Sequence, residues 1–344
     1  MEKVRLGRTG LMVTKIAFGG IPIERIRVQE AVDVVLGVID LGVNFIDTAN
    51  GYTDSEEKIG IAIKDIKRDS LVIASKSIAR DKKTFLEHVD LSLKRLGTDY
   101  IDLYQHHNIS TKETWDATMS EGGAFEGMLE AIRAGKIRFP AFSSHDIGTA
   151  LQLMRSGKFD AVQLAFNYIE DEAAKEAIPL AKELDMGFIA MKPFGGGLLC
   201  DAKLSIRYLS QFDGIVPDPG IEKLSEMEEI VRIVNSGEKF SAEDAAAIAK
   251  IRAEVGETWC RRCDYCKPCP KEIGISTVFS VESFIKRLPF RRIMGFVEKD
   301  MSAARSCDAC RTCVPRCPYN LDIPELIKEK IAIWDRYLAQ NKNS

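Results

Sequence analysis

Eight of the nine cysteines fall in two short runs near the end of the chain, and their spacing suits chemistry rather than packing. The first run comprises Cys260, Cys263, Cys266 and Cys269. The second run comprises Cys307, Cys310, Cys313 and Cys317. The ninth, Cys200, stands alone, and the first 199 residues contain no cysteine. Secreted disulfide domains are small and carry cysteine along their whole length. Clustered thiols of this kind therefore indicate a metal or redox site.

The second run, which is followed by Pro318, has the C-x₂-C-x₂-C-x₃-C-P spacing of bacterial ferredoxins. In such proteins three cysteines of a run bind one 4Fe–4S cluster and the fourth binds the other. The first run has one residue fewer before its last cysteine. The crossed arrangement predicts one cluster on Cys260, Cys263, Cys266 and Cys317, and a second on Cys307, Cys310, Cys313 and Cys269. Zinc is the alternative, since paired C-x₂-C motifs also bind zinc, but three consecutive x₂ steps before Cys-Pro favour iron–sulfur.

The charge around the cysteines differs from that of the whole chain. Residues 260–317 carry 12 Lys and Arg against 6 Asp and Glu, a net charge of +6, whereas the chain has a formal charge of −3. The overall charge argues against a nucleic-acid binder. The local basic charge has two explanations that stay open. It could dock an acidic electron carrier such as a ferredoxin or flavodoxin, or neutralise the clusters' own negative charge.

A second set of polar residues stands at the ends of apolar runs that predict strands. These residues are Asp47, Tyr52 on the following loop, Lys76, and the neighbouring pair His106 and His107. A nearby Lys ammonium lowers the pKa of a tyrosine from its usual value of about 10. An Asp can pair with that Lys, and a neutral His can donate to a substrate carbonyl. Together they would make a general acid that protonates an oxygen as hydride reaches the carbon, although each residue alone could be a solvated loop residue.

Eight short apolar runs alternate with amphipathic helical stretches between residue 11 and about residue 234. Eight strand–helix units predict a closed (β/α)₈ TIM barrel, with an open doubly wound sheet as the alternative. The opening KVRLGRTGLMVTKI predicts a hairpin before the first barrel strand. Pro140 predicts an irregularity in the fifth strand, because it has no N–H for a ladder. We divide the chain into a barrel over 1–235 and a mostly helical, ferredoxin-like dicluster domain over 236–344.

Composition narrows the class of protein further. Apolar residues make up 45% and charged residues 29% of the 344 residues, which is typical of a globular protein. No apolar run approaches the roughly 20 residues that a membrane helix needs. The N-terminal segment has no secretory signal pattern. These features predict a cytoplasmic protein without membrane partners.

Six segments resemble the aldo-keto reductase family, in order and at similar spacing. They are FIDTANGYTDSEEKIG, DLYQHH, GKIRFPAFSSH, VQLAFNY, AMKPFGGG and PDPGI. With the cysteine runs that follow, the chain resembles the iron–sulfur-bearing branch of that family. The resemblance implies a TIM-barrel oxidoreductase that reduces a carbonyl, or oxidises an alcohol, of a small molecule with NADH or NADPH.

The resemblance also implies roles for particular residues. Asp47, Tyr52, Lys76 and His107 would be a catalytic tetrad with Tyr52 as proton donor, which selects His107 over His106. Cofactor-binding positions would be Ser143, Ser144, Gln163, Met191, Lys192, Phe194, Gly195 and Gly220. Gly220 falls where the family usually has a Lys, and Glu226 near a usual Arg, that hold the 2′-phosphate of NADP. Glycine has no charge and glutamate repels phosphate, so the NADP contact is weakened.

Two functions remain open from the sequence. The first is a nicotinamide-dependent oxidoreductase in which the clusters are structural or dock a redox partner. The second is an iron–sulfur electron-transfer protein whose barrel does not use nicotinamide. Hydride moves two electrons whereas each cluster carries one, and no flavin motif is visible to convert between them.

Overall fold

A computed structural model describes residues 1–341, which form two compact units. The first unit comprises Met1–Phe194 and Asp201–Phe240. The second comprises Gly195–Cys200 and the chain from Ser241 onward. The short segment Gly195–Cys200 therefore packs with the second unit although it lies within the barrel part of the sequence.

The chain opens with an antiparallel hairpin of β1 (Lys3–Arg5) and β2 (Met12–Thr14), which confirms the predicted hairpin. Leu6 and Leu11 in its connection are almost fully buried. They pack in one cluster with Phe45 and other residues that line the barrel interior. The hairpin thus supplies apolar side chains to the barrel core.

Eight parallel strands form the sheet of the first unit, in the order in which they occur in the chain. They are β3 (Phe18–Gly19), β4 (Phe45–Asp47), β5 (Val72–Ser77), β6 (Ile101–His106), β7 (Ile137–Ser144), β8 (Ala161–Ala165), β9 (Gly187–Met191) and β10 (Ile215–Asp218). The first and last strands are joined by a parallel bridge between Gly19 and Gly220, where Gly19 N–H donates to Pro219 O at 2.9 Å. The sheet closes on itself, and the predicted barrel is confirmed.

Nine helices lie in this unit. They are α1 (Val28–Asp40), α2 (Ser55–Ile63), α3 (Lys82–Leu96), α4 (Lys112–Met119), α5 (Ala124–Arg133), α6 (Ile147–Arg155), α7 (Ala177–Glu183), α8 (Ala202–Leu209) and α9 (Leu224–Ser236). Each apolar stripe faces the core; in α5 the buried residues are Ala124, Gly127, Met128 and Ala131. This spacing places them on one helix face. The helices thereby fix the strand ends that carry the polar residues.

The expected irregularity at Pro140 is wrong. Strand β7 runs unbroken through it, with Tyr104 of β6 paired to Pro140. On the other side, Asp160 N–H donates to Pro140 O at 2.8 Å, and ladder pairing with β8 begins only at Ala141. In a parallel ladder the N–H and C=O of one residue point to the same neighbour. The side of Pro140 that lacks an N–H therefore faces the chain before the start of β8. The ladder between β7 and β8 loses no hydrogen bond.

The C-terminal part of the second unit is helical. Its helices are α10 (Ala242–Val255), α11 (Ile275–Phe279), α12 (Val281–Arg287), α13 (Phe290–Ala304) and α14 (Ile323–Gln340). Trp334 of α14 and Val297 of α13 are almost fully buried. The two cysteine runs occupy the irregular segments before α11 and before α14. Among the helices of residues 1–341, none has the length and apolarity to cross a membrane.

Candidate functional site

Asp47 and Lys76 meet as a buried ion pair at the carboxyl ends of β4 and β5. The Lys76 ammonium contacts the Asp47 carboxylate and donates to Thr48 O at 2.7 Å. Each residue is only 2% exposed. Burial alone would lower the pKa of Lys76, but the charge of Asp47, together with the neighbouring Tyr52 and Asp218, outweighs it, so the pKa is raised. Lys76 is therefore held as a cation inside the barrel mouth.

Tyr52 and His107 complete a group of four with this pair. The Lys76 ammonium lies 5.2 Å from the centroid of the Tyr52 ring. The rings of Tyr52 and His107 meet edge to face, with centroids 5.8 Å apart. Tyr52 stands on the half-buried loop between β4 and α2. The structure thus brings together the four residues that the sequence assigns to catalysis.

His106 lies on the opposite side of β6 from this group, as alternation along a strand requires. Its ring is fully buried and packs against Phe85, with centroids 4.9 Å apart, and against Phe159 at 6.0 Å. Neither ring nitrogen has a hydrogen-bond partner within residues 1–341. Burial and the charge of Arg80 lower the pKa of His106 to about 3. His106 is a neutral core residue.

Two further polar residues join the site and were missed in the sequence. Gln105 on β6 donates to the other carboxylate oxygen of Asp47 at 3.2 Å. Asp218 at the end of β10 accepts from Gln163 at 2.9 Å. The sequence does contain a pattern that could have identified Asp218. Like Asp47, it is an acidic residue at the end of an otherwise apolar strand.

Three of the predicted cofactor residues lie side by side on β7 and β8. Ser143, Ser144 and Gln163 are all buried, and Ser143 pairs with Gln163 in the ladder. Ser143 Oγ accepts the N–H of Asn108 at 2.9 Å. Gln163 Oε1 is buried and has no partner in the part of the chain that is described. A hydroxyl group and a free amide oxygen fit the donors and acceptor of a nicotinamide carboxamide.

The other predicted cofactor residues follow β9. Met191 ends that strand, and Lys192 next to it has a left-handed backbone with φ of +57°. The carbonyl of Lys192 accepts from the Asn167 amide at 3.1 Å. Phe194 packs on the core cluster of the barrel. Gly195 belongs instead to the second unit, where a Cβ at this glycine would lie 2.6 Å from the Trp259 ring.

Gly220 and Glu226 have local structural roles at the end of β10. A Cβ at Gly220 would approach the Pro22 ring to 3.0 Å, which leaves little room for a longer side chain. The Glu226 carboxylate accepts the backbone N–H groups of Glu222 at 2.7 Å and Lys223 at 3.1 Å. It therefore caps the start of α9. Neither residue presents a positive charge.

The eight clustered cysteines line two cavities in the second unit, four in each. The first cavity is lined by Cys260, Cys263, Cys266 and Cys317. The second is lined by Cys269, Cys307, Cys310 and Cys313. Ile275 lines both. The grouping takes three cysteines from one run and one from the other, as the crossed arrangement requires.

The two cysteine runs share a backbone geometry as well. Residues two and four positions after the first cysteine of each run have left-handed backbones; these are Arg262, Asp264, Ala309 and Arg311. The residue three positions after the last cysteine does too, at Glu272 and Asn320. Alternating backbone conformations of this kind turn N–H groups inward and are common at iron–sulfur sites. One such N–H, from Arg262, donates to Cys260 Sγ at 3.4 Å.

Burial acts on the thiols of the first cavity. It raises the pKa of Cys260 to about 11 and, with the neighbouring Cys260 and Asp264, that of Cys266 to about 12. Across residues 1–341, no group of three or more His, Cys, Asp and Glu side chains is arranged for a single metal ion. Four sulfurs around a cavity, with inward N–H donors, fit the donor set of a cluster.

Comparison with known proteins decides the family of the barrel. The model of the Aldo/keto reductase family matches residues 15–208, which is more than half of the chain. The chain belongs to this family. It is an aldo/keto reductase-type oxidoreductase, and its barrel carries the four residues described above.

Curated relatives of the chain include reductases of two bacteria. The chain is 29% identical to aldo-keto reductase YhdN of Bacillus subtilis (strain 168) over 70% of this chain and 76% of that relative. It is 28% identical to the NADH-specific methylglyoxal reductase of Escherichia coli (strain K12) over 58% of this chain and 69% of that relative. The chain spans 60 to 76% of the length of five curated relatives, which come from Bacillus subtilis, Escherichia coli and Glycine max.

A solved structure of an aldo-keto reductase from Klebsiella pneumoniae in complex with NADPH has the same fold. Its TM-score is 0.61 at 22% identity, covering 73% of this chain and 94% of that one. The share of this chain left uncovered agrees with the presence of an additional helical unit.

Proposed function

We propose that this aldo/keto reductase reduces the carbonyl group of a small molecule, or oxidises the corresponding alcohol, with NADH or NADPH, and that Tyr52 is its general acid. The observation that carries the proposal is the group of Asp47, Tyr52, Lys76 and His107 at one barrel end. Active sites of TIM-barrel enzymes lie at the carboxyl ends of the strands. The family membership supports the same reaction.

Each residue of the group has a distinct part in moving the proton. The Lys76 ammonium stabilises the anionic form of Tyr52, so the phenol releases its proton more readily to a carbonyl oxygen. Asp47 fixes the position of Lys76 and keeps it charged. His107, at the edge of the Tyr52 ring, orients the substrate oxygen. In the oxidation direction Tyr52 takes the proton back.

The cofactor would be held through its carboxamide by Ser143, Ser144 and Gln163. A bound nicotinamide supplies or takes up the hydride. Met191, Lys192, Phe194, Gly195 and Gly220 remain proposed contacts. The absence of a positive charge at Gly220 and Glu226 supports use of NADH as well as NADPH. The relative named an NADH-specific reductase points the same way, and the Klebsiella protein shows that the fold also holds NADPH.

Two 4Fe–4S clusters are proposed for the second unit. One would bind Cys260, Cys263, Cys266 and Cys317; the other would bind Cys269, Cys307, Cys310 and Cys313. The four-by-four grouping around two cavities and the shared left-handed positions support this assignment. Clusters of this type supply single-electron storage. The net charge of +6 over residues 260–317 supports docking of an acidic electron carrier such as a ferredoxin or flavodoxin.

The substitution Tyr52→Phe tests the general acid. We expect reduction of methylglyoxal or another simple carbonyl probe to fall at least ~100-fold in kcat, because general acid catalysis contributes about 10²–10⁴. The dissociation constant for NADH, measured by fluorescence, should stay within about twofold. The control is Tyr100→Phe. Tyr100 lies directly before the start of β6, at the other end of that strand from His107. Turnover unchanged in Tyr52→Phe would reject the acid assignment.

A second candidate function is an iron–sulfur electron-transfer protein whose barrel does not use nicotinamide. The cysteine cavities favour it, and so does the mismatch between two-electron hydride and one-electron clusters. Anaerobic absorption spectra during titration with NADH and then NADPH separate the two. Consumption of nicotinamide with a carbonyl probe supports the reductase. If neither nicotinamide binds or reacts while dithionite bleaches the clusters, the electron-transfer function replaces it.

A further inference from the structure

Asp218 is a second carboxyl group buried at the barrel mouth. It ends β10 and is 8% exposed. One of its oxygens accepts the Gln163 amide at 2.9 Å. The other, Oδ1, has no hydrogen-bond partner among residues 1–341. A buried carboxyl oxygen without a partner is costly, so its protonation state and neighbours matter.

Gly19 explains how Asp218 comes close to Asp47. Strand β3 lies between β10 and β4, and Gly19 pairs with Asp47 in the sheet. A Cβ at Gly19 would lie 3.0 Å from Asp218 Oδ1 and 2.8 Å from Pro219 O. Because glycine has no side chain, no Cβ stands between the unpartnered Asp218 Oδ1 and the strand end that carries Asp47, and the charge of Asp47 acts on Asp218.

The charges around the pair do not balance if both carboxyls are ionised. The groups that face Asp218 are Asp47, Lys76 and the Gln163 amide, with Tyr52 beyond Lys76. Two carboxylates against one ammonium would leave a net negative charge in a buried site, which is strongly unfavourable. Burial, and then the charge of Asp47, raise the pKa of Asp218 well above its usual value, although Lys76 opposes them. One proton shared by the pair makes the cluster neutral.

We propose that Asp218 is a positioning residue that keeps its proton, donates a hydrogen bond to Asp47, and so leaves the charge of Lys76 available to Tyr52. The donated hydrogen bond draws part of the Asp47 charge away from Lys76, which then acts more strongly on the Tyr52 phenol. An ionised Asp218 would have the opposite effect. The effect on Tyr52 rests on the function proposed above, whereas the protonation of Asp218 does not.

Carbon-13 NMR of protein labelled at the aspartate carboxyl carbon tests the protonation directly. The resonance missing from Asp218→Asn should have the chemical shift of a neutral acid at pH 7 in the wild type, with a midpoint well above the ordinary value of about 3.9. Asp40→Asn removes an exposed carboxyl at the end of α1; it is the control and should leave the Asp218 resonance unchanged. A resonance for Asp218 that is ionised at pH 7 and titrates at or below about 4 would overturn the proposal.

Thermal unfolding gives a second readout of the same proton. A carboxyl whose folded pKa is raised loses stabilisation as pH rises from its unfolded value through its folded value. The melting temperature of the wild type, relative to Asp218→Asn, should therefore fall between pH 4 and pH 7. If the difference in melting temperature between the wild type and Asp218→Asn is constant over this range, Asp218 does not retain its proton. This test requires no turnover measurement.

The pH profile of turnover separates positioning from packing. Asp218→Asn keeps a neutral donor toward Asp47, so the alkaline limb of kcat/KM for a carbonyl probe should stay within about half a pH unit of the wild type. Asp218→Leu has no donor, and the limb should move up by about one pH unit because the full Asp47 charge now acts on Lys76. Equal profiles in both variants would reject the positioning role. If Tyr52→Phe has full turnover, the reductase function fails while the NMR result for Asp218 still stands.

Discussion

The barrel mouth and the cysteine region bring their polar side chains together in different ways. At the barrel mouth the residues come from strands that are far apart in sequence, and the Asp47 carboxylate contacts both Lys76 and Gln105. In the cysteine region the sulfurs come from two local runs, and burial raises the pKa of several thiols. In the first region, contacts between protein groups hold the side chains in place. In the second, the proposed clusters would bind the sulfurs and neutralise their negative charge.

This difference predicts that the two units respond separately to the same treatment. A site organised by strand ends depends on the whole barrel, so its loss is tied to global stability. The cysteine region, built from two local runs, would depend on the proposed clusters, since metal binding contributes directly to folding.

If the proposed clusters are bound, removal of their iron should unfold the cysteine region and leave the barrel folded. We expect an effect on the order of 10 kcal/mol on the second unit, as for other small metal domains. Anaerobic chelation followed by limited proteolysis and mass spectrometry should show cleavage after Ser241 and a protected barrel. Cys313→Ser should lower the iron content by up to one cluster, whereas Cys200→Ser should not change it. Proteolysis that spreads equally over both units would contradict separate stabilisation.

Asp47→Asn should destabilise the barrel strongly because it leaves Lys76 buried without its carboxylate. Removal of one partner from a buried ion pair costs about 3–5 kcal/mol, measurable by urea unfolding. The control is Asp185→Asn, whose pair with Arg5 is half exposed and should matter little. A smaller loss, accompanied by ionisation of Asp218, would show that the second carboxyl takes the place of the first.

His106 should make the barrel sensitive to acid. Its pKa is about 3 in the folded chain, below the ordinary value near 6.5, so the unfolded chain binds a proton first as pH falls. The stabilisation is complete above pH 6.5 and should decrease by about 2 kcal/mol at pH 5. His106→Phe should remove this part of the pH dependence. Between pH 7.5 and pH 8.5 His106 binds no proton in either the folded or the unfolded chain. The free energy of unfolding should therefore change with pH equally in the wild type and in His106→Phe.

Glu226→Ala should have the smallest effect, because it removes only a helix cap. We expect a loss of about 1 kcal/mol in the free energy of unfolding. The same change removes a negative charge, so binding of NADPH relative to NADH should increase. If the ratio of the affinities for NADPH and NADH is unchanged, Glu226 lies outside the cofactor site and its only role is to cap the helix.

The sequence predicts the elements well where local pattern decides them. All eight barrel strands appear as apolar runs, and the grouping of Cys317 with the first run follows from spacing. Pro140 was misjudged because the bond it lacks depends on where β8 begins. The packing of Gly195–Cys200 with the second unit was missed because nothing in that segment distinguishes it from a barrel loop.

Asp218 could not be placed with Asp47 without the closed barrel. The two carboxyls are separated by most of the unit in sequence, and their approach depends on Gly19 between them. The sequence pattern shows an acidic residue at the end of a strand, which makes Asp218 a candidate site residue. Its protonation depends on which other charges share the site, and that requires the three-dimensional arrangement.

The strand through which the barrel closes is its shortest. Strand β3 has only two residues, and one bridge between two glycines joins it to the last strand. Few backbone bonds must break for the sheet to part there, so local opening should begin at this junction. Amide hydrogens of Gly19 and Ile221 should then exchange with solvent before those of β6. Such opening would give bulk water a path to the carboxyl pair beside it, and hence set the rate at which that pair exchanges protons.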